Sequence, residues 1–206
     1  MSLTPLLRTA PIAVVLAATA WTTGPAAQAR LPLDIDTARV TIAGSSNIHE
    51  YTASTTKVRV TRVKVGSAVP GEGFWSDVVK PGALEAFEIA VSAASLSSPK
   101  AGLDKNMHKA LKVEQFPEIT FRLTRLESAT AGAVKAIGVL RIAGVEREVA
   151  LDLKTARKDG LLVVTGSLPL LMTDYGIKPP TAMLGMLKTD PKVTVSFETV
   201  LAVPLT

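Results

Sequence analysis

Two histidines carry whatever acid–base chemistry this 206-residue chain could perform near neutral pH. His49 lies in Ser45-Ser46-Asn47-Ile48-His49-Glu50, a turn-like stretch, where Glu50 could orient it as a general base. The same pattern describes a solvated turn histidine, and one His beside one Glu falls short of a catalytic constellation. His108 sits between the apolar and lysine-bearing sides of a helical pattern. It suits a hydrogen bond to a ligand head group or to a neighbouring loop. Asp34 and Asp36 could hold a hard cation, but two carboxylates beside a proline-containing tail read as solvated. The chain has no cysteine, which excludes a thiolate metal site, a cysteine nucleophile and a disulfide framework. Neither a G-x-S-x-G elbow nor an H-E-x-x-H zinc motif occurs. No catalytic residue and no metal ligand is assigned. The enzymatic alternative is a secreted enzyme acting on a lipid or small apolar substrate, with His49 or His108 as base.

Apolar residues offer more. Alternation of apolar and polar positions predicts about eight strands. One face of each strand collects Val40 and Ile42, then Val58 and Val60, then Phe87, Ile89 and Val91, then Ile119 and Phe121. Further along it collects Val149 and Leu151, and finally Val195 and Phe197. Ala143-Gly144 and Lys158-Asp159-Gly160 suit hairpin turns, because glycine accepts positive φ, and short turns demand antiparallel neighbours. The apolar parity shifts from Val58 and Val60 to Val63 and Val65, which predicts a β-bulge near Thr61-Arg62. A single helix is expected from Ser98-Pro99 to no further than Gln115. Met107 and Leu111 lie on its apolar side, and Lys105, Lys109 and Lys112 on the other. Two stretches, 66–85 and 171–191, read as long loops.

Eight antiparallel strands can close into a barrel that encloses one small ligand. The inward positions are mostly aliphatic and modest in size, so volume is left for an alkyl chain. Each buried CH₂ contributes roughly 0.8 kcal/mol. Of the methionines after Met1, three lie in the second long loop, Met172, Met183 and Met186. Such flexible side chains suit an adaptable apolar mouth, and equally a simple barrel cap. The rival non-enzymatic reading is a stress-related barrel with a filled lumen.

Charge and the N-terminus narrow the setting. The isoelectric point near 9.6 invites nucleic acid. Yet Arg59, Arg62, Lys64, Arg122 and Arg125 mostly alternate with apolar residues, as an outer sheet face must, and aromatics are only 4%. No nucleic-acid partner is expected. The lysine side of the helix could touch an anionic membrane surface weakly. Residues 1–29 carry one charge, Arg8, then the apolar run Ile12–Ala20 and a terminal Ala27-Gln28-Ala29. This predicts a signal peptide cleaved after Ala29 and one exported domain over 30–206. The mean hydropathy of +0.30 reflects both that segment and the aliphatic strands.

Three ordered stretches resemble the YceI-like family of exported proteins. They are Leu103–Leu111 followed by Pro117-Glu118-Ile119-Thr120-Phe121, then Leu140–Val149 with its Gly144-Val145-Glu146-Arg147-Glu148-Val149 hairpin, then Met172–Pro180 with Tyr175 and Ile177. The resemblance implies an all-β, extended lipocalin-like eight-stranded antiparallel β-barrel with one inserted α-helix. It implies an elongated apolar cavity for a polyisoprenoid lipid or quinone-type chain in the bacterial periplasm, with no established enzymatic activity. Under it, the inward residues above, with Met107, Leu111, Met172, Tyr175, Ile177, Met183 and Met186, line cavity and mouth, and His108 contacts the head group. No cofactor beyond the bound polyisoprenoid lipid or quinone is implied, and oligomeric state is left open.

Overall fold

The computed structural model describes residues 32–66, 71, 73–130, 132–182 and 186–203. The expected signal peptide lies outside the described residues. Ten strands run β1 (Asp34–Ser46), β2 (Glu50–Thr55), β3 (Val58–Val65), β4 (Leu84–Ser92), β5 (Glu118–Thr130), β6 (Ala133–Ile142), β7 (Val145–Lys158), β8 (Leu161–Leu171), β9 (Thr181–Ala182) and β10 (Leu187–Ala202). Two α-helices interrupt them, α1 (Phe74–Val78) and α2 (Ala101–Leu111). The fold is mostly β, a single antiparallel sheet curled into a lipocalin-like barrel.

Nine strands follow one hydrogen-bonded path, β2-β1-β10-β8-β7-β6-β5-β4-β3, and β9 pairs with β10 beside it. The expected count of eight is therefore too low. The added full strand is β2, in a stretch that reads as a turn and its sequel. Its Glu-Tyr-Thr-Ala-Ser-Thr carries little apolar signal, although Ala53 and Thr55 are buried. The two ends of the path, β2 and β3, are consecutive in sequence and separated only by Thr56-Lys57. One bent stretch of chain thus pairs with β1 through its first half and with β4 through its second. The bend is held by Val58 N–H donating to Thr56 O (3.0 Å) and Lys57 N–H donating to Thr55 Oγ1 (3.0 Å). Thr55 Oγ1 also shares a 2.6 Å hydrogen bond with Ser95 Oγ.

The local signals in the hairpins translate directly. Register slips between Val60 and Arg62, the bulge that moves the apolar parity of β3. Ala143 and Gly144 have φ of 48° and 83°, and Asp159 and Gly160 have 51° and 78°. Two successive positive φ values match the twist of the flanking strands. Helix α2 starts later than Ser98-Pro99 suggests. The Ser98 hydroxyl accepts from Lys100 N–H (3.1 Å) in a local turn and does not cap the helix. Lys112, at φ 54°, ends α2, where main-chain N–H groups reach His108 O and Lys109 O. The stretch expected as a loop between β3 and β4 contains α1, five residues too short to show a helical period.

Two apolar clusters fill opposite ends of the barrel. At one end α1 inserts Phe74, Trp75 and Val78 against Leu33, Val63, Leu162 and Leu201. Trp75 Nε1 donates to Gly160 O (2.7 Å), which pins this plug to the β7–β8 turn. At the other end Leu96, Leu111, Ile142, Tyr175 and Ile177 gather under α2 and the turn Met172–Tyr175. That second end holds the cavity.

Candidate apolar cavity

Strand alternation sends one face of every strand inward, but depth along the barrel decides what each inward residue meets. At the α2 end the walls enclose a cavity of ≈ 320 Å³. Val40 and Ile42 enter it from β1, Val193 and Val195 from β10, and Val91 and Ile119, cross-strand partners, from β4 and β5. Leu140 and Ile142 of β6 and Leu170 of β8 complete the wall. Leu103, Met107, Ala110 and Leu111 of α2 roof it, together with Met172, Tyr175 and Ile177. The mouth is framed by Ser46, His49 and Tyr51 of the β1–β2 hairpin, Lys100 and Asn106 beside α2, and Pro180, Leu187 and Thr189. A lining this aliphatic favours hydrocarbon over water, and each chain CH₂ moved inside adds roughly 0.8 kcal/mol.

Other inward candidates fall elsewhere. Val60, Phe87 and Ile89 pack into the plug at the far end, because their strands carry them past the cavity floor. Val58 pairs with Val91 and does not reach the cavity. Phe121 and Phe197 are the next inward residues below Ile119 and Val195, and they stop short of the lining. Their rings lie on Gly138 and Gly166. Leu151 is buried in the sheet wall. Val149 faces a separate recess where β7 and β8 diverge; their pairing covers only Leu153/Gly166 to Lys158/Leu161. Met186 is exposed and Met183 lies outside the described residues. Leu103, Leu140, Ile142, Leu170 and Val193 join the lining without having been singled out. Each continues the alternation or helical spacing of a residue that was, so the signal was present.

The polar groups are sparse. His108 Nε2 hydrogen-bonds Leu96 O at 2.8 Å, which ties α2 to the segment beneath it. Of the two partners its sequence setting suits, a head group or a neighbouring loop, the loop contact is the one formed here, and its ring is not among the residues that line the cavity. His49 stands at the mouth, and no hydrogen bond joins its ring to Glu50 among the described residues. Tyr175 is buried and its hydroxyl has no hydrogen-bond partner among the described residues. Burial above all, and then Asp174, raise its pKa above the ordinary phenol value, with Arg147 opposing. Tyr51 is raised by burial and by Asp190. Both phenols are neutral at physiological pH. Among the described residues no three acidic or histidine side chains cluster in a metal-binding arrangement.

Comparison with known proteins gives the same picture. No curated protein matches the chain. Among solved structures, a polyisoprenoid-binding domain from Saccharophagus degradans implicated in plant cell wall breakdown superposes with TM-score 0.63 at 14% identity, covering 85% of this chain and all of that one (100%). BcnA of Burkholderia cenocepacia gives TM-score 0.62 at 14% identity, covering 80% and 96%. The Campylobacter jejuni YceI protein gives 0.51 at 16% identity, covering 73% and 85%. At these identities the likeness speaks for the fold. The sequence itself decides the family: the YceI-like domain spans residues 33–201, from the start of β1 to the end of β10, and the chain belongs to the YceI-like family.

Proposed function

We propose that this chain is an exported, periplasmic lipid-binding protein that holds the chain of a polyisoprenoid or other long-chain lipid, quinone-type lipids included. The observation that carries the reading is the ≈ 320 Å³ aliphatic cavity at one end of a YceI-like barrel whose other end is plugged by its own side chains. A polyisoprenoid-binding domain among the similar structures supports the ligand class. The apolar chain lies against Val40, Ile42, Val91, Ile119 and Val195, under Met107, Leu111 and Met172, with Tyr175 and Ile177 at the inner roof. No reaction is assigned, because the cavity offers shape and apolar surface and no set of reactive groups. Residues 1–29 act as the export signal and 30–206 as the mature domain.

Native mass spectrometry of protein purified from its own membranes tests this reading. The expected result is a mature chain starting at Arg30 that carries one long-chain lipid. A chain that arrives empty and takes up no isoprenoid alcohol or quinone overturns the binding role. Retention of residues 1–29 overturns the export assignment.

A further inference from the structure

Among the described residues, the large hydrophobic side chains that stand exposed are Ile48 (60%), Met186 (66%) and Leu171 (44%). All three border the cavity mouth. Leu171 lines the cavity, and Ile48 lies at the tip of the β1–β2 hairpin, next to the mouth residue His49. Met186 is fastened to that tip, because Asn47 Nδ2 donates to Met186 O (2.9 Å) and Asn47 Oδ1 accepts from Lys188 N–H (2.8 Å). Exposed apolar side chains scattered singly need no explanation, but a group gathered on one rim marks an interaction surface.

The charge beside the rim selects the partner. Residues 100–112 carry Lys100, Lys105, Lys109 and Lys112 against one acid, Asp104. That acid already accepts a hydrogen bond from Ser98 N–H. None of the four lysines is in an ion pair among the described residues. A ring of apolar side chains flanked by unpaired lysines fits the surface of an anionic bilayer, where apolar groups enter the acyl boundary and lysines meet the head groups. The rim is also continuous with the aliphatic cavity, so a bilayer seated on it places hydrocarbon against hydrocarbon with no water layer between.

We infer that the cavity mouth is a docking surface for an anionic phospholipid bilayer, with Ile48, Leu171 and Met186 inserted and the α2 lysines on the head groups. The inference rests on the lipid-binding reading and states where that lipid enters. Co-sedimentation with phosphatidylcholine vesicles, with and without phosphatidylglycerol, tests it. Wild-type protein is expected to bind the phosphatidylglycerol vesicles and to release at high salt. Lys105→Glu/Lys109→Glu lowers that binding at least about fivefold per lysine, the factor that ~1 kcal/mol converts to. Ile48→Ser, which touches no cavity wall, lowers it at either salt concentration. Farnesol added from solvent, with no vesicle present, is expected to bind wild type and these variants alike. Wild-type protein that ignores both vesicle types, or Ile48→Ser and lysine variants that bind as well as wild type, overturn the inference. Failure of wild type to bind farnesol overturns instead the lipid-binding reading on which it rests.

Discussion

Phe197 lies across Gly166, its cross-strand partner on β8, so closely that a side chain on Gly166 would overlap the ring. Phe121 covers Gly138 in the same way. The two rings sit one inward step below Val195 and Ile119, at the level where the lining ends. They lie just beyond the lining, and the absent side chains of the two glycines leave the rings their space.

Gly138→Val would drive a side chain into Phe121 and the Arg122 carbonyl. It is expected to destabilise the protein by about 1–3 kcal/mol or more, since overpacking at a backbone contact has little room to relax. A urea denaturation midpoint well below wild type checks this, and an unchanged midpoint refutes the close contact.

Phe197→Ala empties the space one inward step beyond Val195, just outside the lining. It is expected to lower stability by about 3–5 kcal/mol, as other large-to-small aromatic changes do. Where the variant still folds, the preferred isoprenoid alcohol should lengthen relative to wild type in a competition series of geraniol, farnesol and geranylgeraniol. An unchanged length preference would show that this space does not join the cavity.

Val195→Trp has the opposite effect, filling the cavity from β10. Lipid stoichiometry by native mass spectrometry should fall while far-ultraviolet circular dichroism is retained. A variant that loads as well as wild type would count against Val195 as a lining residue.

Tyr175 carries a buried hydroxyl with no partner among the described residues, a state that typically costs about 1–3 kcal/mol. Tyr175→Phe is therefore expected to leave stability unchanged or to raise it, in contrast to the usual loss on truncating a buried side chain. Thermal unfolding distinguishes the two. The same residue sets an alkaline limit. Its pKa, like that of Tyr51, is raised in the folded chain above 10.0, the unfolded value. The unfolded chain thus loses the proton first. The contribution to stability is complete below about pH 10 and is lost as pH rises through the folded value. Denaturant midpoints should fall across that range in wild type, and fall less in Tyr175→Phe.

The hairpins from β5 to β8 were legible because alternation, glycine turns and strand length all agree there. β2 was not, since its buried residues, Ala53 and Thr55, are too small or too polar to leave an apolar pattern. Alternation also told which face Val60, Phe87 and Ile89 occupy without telling how deep they lie. Depth depends on which end α1 plugs, and Phe74 and Trp75 give no period from which to place them. The helix bearing His108 was visible, but its acceptor, Leu96 O, belongs to a segment whose position only the folded chain fixes. On α2 and in the Met172–Ile177 turn the pattern pointed to Met107, Leu111, Met172, Tyr175 and Ile177, all of which border the cavity, because helix spacing and motif order act locally.

The pairing of β1 with β10 sets when this cavity can exist. Asp34 lies opposite Ala202 and Ile42 opposite Val195, so one edge of the first strand, whose other edge takes β2, is paired only by the last. Long-range pairing of this kind is slow, because the loop it closes is nearly the whole domain. A chain still being synthesised has no such chamber, since one wall is missing until the C-terminal strand arrives. The cavity is thus a property of the finished molecule only, and an incomplete chain does not enclose it.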